Sequence, residues 1–295
     1  MRRELIALTA LLSALAAPAS AQERLLARQP LDAGRGAKIF DPAGLVRIVG
    51  WDKDTIEVRG RIAPGEHFFI AGDHLGVKLG IQERADDHAA KPCTLTVYLP
   101  RASAVAVKSV SASITGTDVG GWFYTVSGRI QLGGGGMNIR AFAMGGDIDI
   151  AMTAVTVHAE TGEGRITIRG APQDVDLSTV SGSLDVAAAT IAAGRFASIT
   201  GPITFSGAPA LSGVFDFTDH GGDVTLLLPD AAAGTFSLST IQGTIENGMS
   251  LVKPAAERTG AGSSLHLVLG DRNDGGRVTV RTFKGAIRLR PQRSP

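Results

Sequence analysis

Three groups of side chains have the types and spacing to do chemistry. Asp149 and Asp185 are the first. If the chain stacks as argued below, they lie two layers apart, about 9–10 Å. That is near the separation of an inverting carboxylate pair, although alternation also creates such pairs as plain solvated polar ladders. The second is "DFTDHGGD", with Asp216, Asp219, His220 and Asp223 close to one corner. Carboxylates and an imidazole are metal ligands, but Asp and Gly at a corner more often serve the turn. The third is "ADDHAAKPC", with Asp86, Asp87, His88 and Cys93. Its spacing matches no standard site, and no metal and no cofactor are expected. Nucleophile elbow, HExxH and phosphate-binding loop are all missing from the sequence. "GGGG" at 133–136 has no helix after it to complete a phosphate cradle.

These residues must be positioned by a repeat. "TVSGRIQL" at 125–132 returns as "TVSGSLDV" at 179–186. With the Gly as position zero, the pattern recurs at Gly128, Gly146, Gly164, Gly182, Gly201, Gly222, Gly243 and Gly285, and upstream the frame also fits with Ala112 and with Gly44 at zero. The first three steps are 18 residues, and later ones lengthen to 21 and to twice 21. Positions −7, −5, +2 and +4 are mostly apolar, and −3 is mostly Thr. Alternation on both sides of the Gly predicts a strand on each side. The Thr hydroxyl suits a bond to nearby backbone, and the Gly suits a positive φ. A fixed period near 20 residues predicts an all-β, single-domain parallel β-solenoid, β-helix-like, with coils of 18–21 residues. It fills residues 36–290, with 60–92 as an irregular, loop-bearing coil. Residues 22–35 are a lead-in and 291–295 a tail.

The chain opens as an export signal. Arg2 and Arg3 precede an apolar run from Leu5 to Ala17, and Ala19-Ser20-Ala21 offers a cleavage site. The expected mature protein begins after residue 21 and is exported to the periplasm, the cell surface or the medium. The 29 Lys and Arg against 28 Asp and Glu become equal once Arg2, Arg3 and Glu4 are removed. Zero net charge argues against nucleic acid as the main partner. The single Cys93 can form no internal disulfide, so stability must come from core and ladders.

The frame also predicts a surface. Positions −6 and −4 face outward, which stacks Lys108, Trp122, Tyr124, Arg140, Phe142, His158 and Glu160 into one patch. The chain has two Trp and two Tyr, and one of each falls here. Aromatic faces beside Arg and Glu suit a sugar ring or a protein hot spot. The alternative is that the 60–92 segment packs over the patch and buries it.

The leader, the "GLVRIVGWDKDTIEVRG" opening, the "LTVYLP" strand and the "SG-x-I" corners resemble a bacterial β-strand-repeat family of unknown function, labelled "putative adhesin". The resemblance covers roughly residues 36–290. It implies the repeat fold and surface attachment, and it supplies no catalytic residues. The expectation is a non-catalytic envelope protein, adhesin-like or a scaffold, binding a glycan or protein partner. The alternative is a carbohydrate-active β-helix enzyme that uses stacked Asp residues.

Overall fold

The computed structural model describes residues 23–82, 89–136, 138–249, 257–259, 262–270 and 275–292. The expected leader at 1–21, the last residues of the tail, and Asp86, Asp87 and His88 lie outside the described residues. Every regular element among the described residues is a strand. The N-terminal part holds β1 (Arg24–Pro30), β2 (Gly36–Asp41), β3 (Gly44–Trp51), β4 (Thr55–Arg61), β5 (Phe68–Asp73), β6 (Gly76–Ile81) and β7 (Cys93–Pro100). The middle holds β8 (Ala104–Ser109), β9 (Ser113–Thr117), β10 (Gly120–Thr125), β11 (Ile130–Gly135), β12 (Asn138–Ala143), β13 (Ile148–Thr153), β14 (Thr156–Thr161), β15 (Ile166–Gly170) and β16 (Asp174–Thr179). Two long strands follow, β17 (Leu184–Ser198) and β18 (Ile203–Asp219). The last are β19 (Val224–Leu228), β20 (Gly234–Thr240), β21 (Ile245–Asn247), β22 (Glu257–Thr259), β23 (Gly262–Leu269), β24 (Gly276–Thr282) and β25 (Ile287–Pro291).

All of them belong to one 25-stranded hydrogen-bonded sheet. Its orientation is mixed, not uniformly parallel as the repeat predicted. The middle tiers are parallel and in the predicted register: Ile130 pairs with Ile148, Ile148 with Ile166, Ile166 with Leu184 and Leu184 with Ile203. Antiparallel pairs enter towards both chain ends, at β1–β4, β4–β7 and β5–β6, and at β20–β23 and β22–β23. For β5–β6 the reason is connection length. A tight turn can only return a strand antiparallel, whereas a parallel neighbour needs a longer crossover. "DHLG" at 73–76 is such a turn, and it makes β5 and β6 a hairpin within the segment read as an irregular coil. Val77, Leu79 and Ile81 of β6 are buried, and β6 stacks parallel on β2.

The tiers are also not in chain order. β24 sits between β18 and β20, and β25 between β19 and β21. The Gly285 corner therefore lies between those of Gly222 and Gly243. The step of twice 21 residues marks an insertion between tiers, with no skipped coil. β8 and β9 likewise pair with β2 and β3, beyond which lie β6 and β7.

Inward columns carry the core. Phe123, Ala141, Ala159, Leu177, Phe196 and Phe217 are at most 1% exposed. Where the period lengthens, the core turns aromatic: Phe196 stacks on Phe217 with centroids 4.6 Å apart, and Phe205 meets both. No tier could bury these side chains alone, so the stack is the folding unit.

The corner works through its side chain as expected and through its glycine differently. Backbone N–H groups of Gly128, Gly164, Gly182 and Gly243 donate to Thr125, Thr161, Thr179 and Thr240 hydroxyls at 3.0–3.2 Å. Ser198 does the same for Gly201, and the Asp219 carboxylate for Gly221 and Gly222. From Gly128 to Gly285 none of the corner glycines has a positive φ, whereas Gly44 at the upstream corner has φ +118°. Their need is space, because a Cβ on each would overlap a backbone oxygen of the neighbouring tier's corner. Thr161→Val removes the acceptor of a buried N–H while keeping the shape. It should cost about 1–3 kcal/mol in urea unfolding, and a loss under about 0.3 kcal/mol would show that the hydroxyl adds nothing.

Candidate functional site

The seven outward residues of the predicted patch do share one face. Parallel pairing of β8, β10, β12 and β14 sets Tyr124 beside Lys108 and Phe142, and Trp122 beside Arg140. The next step sets Arg140 beside His158 and Phe142 beside Glu160. The rings interact along and across strands. Trp122 stacks on Tyr124 at 5.6 Å and 10°, meets Phe142 at 6.5 Å, and Phe142 meets His158 at 5.5 Å. His158 is held between two carboxylates, Nε2 2.9 Å from Glu160 Oε1 and Nδ1 3.4 Å from Asp176 Oδ2. Trp122 is 37% exposed. The described part of 60–92 extends this sheet sideways: β6 joins at β2, with β5 outside it.

The face is longer than the sequence indicated. The column through Trp122, Arg140 and His158 continues by register to Asp176, Arg195 and Asp216. Arg140, Phe142, His158, Asp176, Arg195 and Asp216 line a shallow concavity of about 690 Å³. In the other direction, Lys38, Lys78, Phe40, Phe69 and Trp122 line a second of about 790 Å³. A further feature was missed. Val110, Met144, Val180, Ile199 and Ile241 all stand two residues before a corner's zero position, and all are 49–61% exposed. They lie along the corner edge in a column that Gly162 and His220 interrupt. The signal for them is in the sequence, at position −2 of the repeat frame.

The carboxylates of the catalytic alternative are placed but not united. Asp149 and Asp185 stand on β13 and β17 with buried Thr167 between them, as the frame predicted. Asp185 lies 3.4 Å from Arg165 and accepts from the Ser183 hydroxyl at 3.3 Å. Asp216 lies 3.6 Å from Arg281 on the other run of strands. Asp223 pairs with Arg288 at 2.6 Å, and that guanidinium holds its carboxyl below the usual range. Asp219 is 2% exposed; burial pushes its carboxyl up against the pull of two backbone N–H groups. The "DFTDHGGD" residues thus serve the corner and its ion pairs, and His220 stacks on Phe283 at 4.8 Å. Among the described residues, no group of three or more His, Cys, Asp or Glu is placed to hold a metal ion. No helix among them is long and apolar enough to cross a membrane.

No family model matches the sequence, and no curated protein matches it. Solved structures similar to it include a putative adhesin from Bacteroides fragilis, 12% identical, with a TM-score of 0.45 over 90% of this chain and 97% of that one. A putative adhesin from Parabacteroides merdae is 11% identical, with a TM-score of 0.39 over 92% and 97%. A putative lipid binding protein from Parabacteroides distasonis is 9% identical, with a TM-score of 0.48 over 92% and 97%.

Proposed function

We propose that this chain is a non-catalytic, exported envelope protein that binds a glycan or protein partner through the outward face of β8, β10, β12 and β14. It would act as an adhesin-like or scaffold module. Its body would be one β-solenoid domain over residues 36–290, with parallel middle tiers and antiparallel strands added towards both chain ends. The observation that carries the reading is the row of Trp122, Tyr124 and Phe142, held on neighbouring strands beside Arg140, His158 and Glu160. Rigid strands fix such rings at little entropic cost, and exposed aromatic clusters mark partner sites. The catalytic alternative has weaker support, since Asp185, Asp216 and Asp223 each stand beside an arginine.

The test has two arms. Protease shaving of intact cells should remove the protein if it is displayed outside; protection until the outer membrane is opened would leave only a periplasmic role. Glycan-array binding by the mature chain should weaken by ~2 kcal/mol, about thirtyfold, in Trp122→Ala. Unchanged binding in both Trp122→Ala and Tyr124→Ala would remove this face from consideration.

A further inference from the structure

Three lysines crowd one end of the aromatic face. Lys38 and Lys78 are direct neighbours on paired strands β2 and β6, and Lys108 pairs with Phe40, two residues along from Lys38. All three are exposed. Like charges directly opposite on a sheet destabilise it, and among the described residues none of the three makes an ion pair. The Lys78 ammonium stands 6.0 Å from the Phe69 ring centroid. Together with Phe40, Phe69 and Trp122 they line the 790 Å³ concavity. That size suits a small ligand or one segment of a polymer.

We propose that this cleft binds an anionic saccharide, with Lys38, Lys78 and Lys108 receiving its acid groups and Trp122 stacking a sugar ring. The proposal rests on the glycan-binding reading and narrows it to acidic glycans. Lysine ammoniums act as point charges without a fixed fork, which suits acid groups spaced along a saccharide chain. Beyond Trp122 the same columns carry Arg140, His158, Glu160 and Asp176. Carboxylates there would repel the continuous charge of a polyphosphate strand, but they accept hydrogen bonds from sugar hydroxyls. The neighbouring concavity, lined in part by Asp176 and Asp216, likewise suits a saccharide running on from the cleft better than an anionic lipid surface.

Calorimetric titration of the mature chain tests this. The probes are oligogalacturonate, dextran sulfate, neutral dextran, phosphatidylglycerol vesicles and single-stranded oligothymidylate. At least one acidic saccharide should bind about tenfold or more tighter than neutral dextran, and high salt should erase the difference. The exposed triple substitution Lys38→Gln, Lys78→Gln, Lys108→Gln should lose about tenfold towards that probe. Absence of binding to both acidic saccharides overturns the proposal, as does tighter binding to vesicles or oligothymidylate. If Trp122→Ala abolishes binding while the triple variant binds as wild type, the glycan face stands and the anionic reading falls. If neither variant changes binding, the face itself is wrong.

Discussion

Gly182→Ala is expected to lower the melting temperature by about 6 °C, the effect of roughly 3 kcal/mol in a domain of this size. Gly182 does not have a positive φ, so alanine meets no backbone strain there. The obstacle is the next tier. A Cβ at 182 would overlap the carbonyl oxygen of Gly164 and stand 2.8 Å from its carbon. Both atoms are backbone, held by the parallel ladder, and neither can rotate away. The Gly182 N–H also donates to Thr179 Oγ1 at 3.0 Å, so a shift of the corner strains that bond too. Gly34 is the control. Its φ is +79° and a Cβ there meets nothing within 4 Å. Gly34→Ala carries conformational strain alone, about 1 kcal/mol. Thermal melts of the two variants separate the causes. A Gly182→Ala variant as stable as Gly34→Ala would show that the tiers spread easily.

Asp41→Asn is expected to stabilise the protein at pH 8 and to do little at pH 4. Asp41 ends β2 in the slot that Thr holds at other corners, beside Ser109 of β8. It is fully buried; Oδ1 accepts the Ala43 N–H at 3.4 Å, and Oδ2 has no partner among the described residues. Burial pushes its carboxyl from 3.8 to about 7, the Ala43 N–H works against that, and nearby Glu66 adds to it. Buried Cys93 lies in the same environment, its thiol pushed up by burial. The folded state therefore favours protonated Asp41. Stability is full below about pH 3.8, is lost as pH rises towards 7, and is level above. The step from 3.8 to about 7 corresponds to ~4 kcal/mol, at 1.36 kcal/mol per pH unit. An amide cannot ionise, so urea unfolding at pH 8 should show a gain of about 2–4 kcal/mol that fades by pH 4. Equal effects at both pH values would mean that Asp41 is ionised throughout or that the amide fits poorly.

Asp41 also shows where sequence reading falls short. The frame placed Gly44 at a corner, which puts Asp41 at position −3, but its burial and its proximity to Glu66 and Cys93 follow from tiers far apart in the chain. The same holds for the corner glycines. Their spacing was plain, and a positive φ is the usual reason for glycine at a turn. Here the reason is a through-space approach that one strand's sequence does not contain. The exposed apolar residues at position −2 were legible in the frame, whereas the lysine cleft was not. Lys38, Lys78 and Lys108 come from three segments that meet only because β8 and β6 flank β2.

The sequence by itself determined which side chains face in and which face out. Period-two alternation is a local property, and so the inward columns, the register of the 18-residue tiers and the alignment of Trp122, Tyr124, Arg140, Phe142, His158 and Glu160 with Lys108 followed from it. Tertiary structure alone decided the order of the tiers and the orientation of the end strands. Every tier offers the same hydrogen-bonding edge to any other. Only the lengths of the connections and the fit of whole tiers select which edges meet, as when β24 and β25 enter between strands that precede them in the chain.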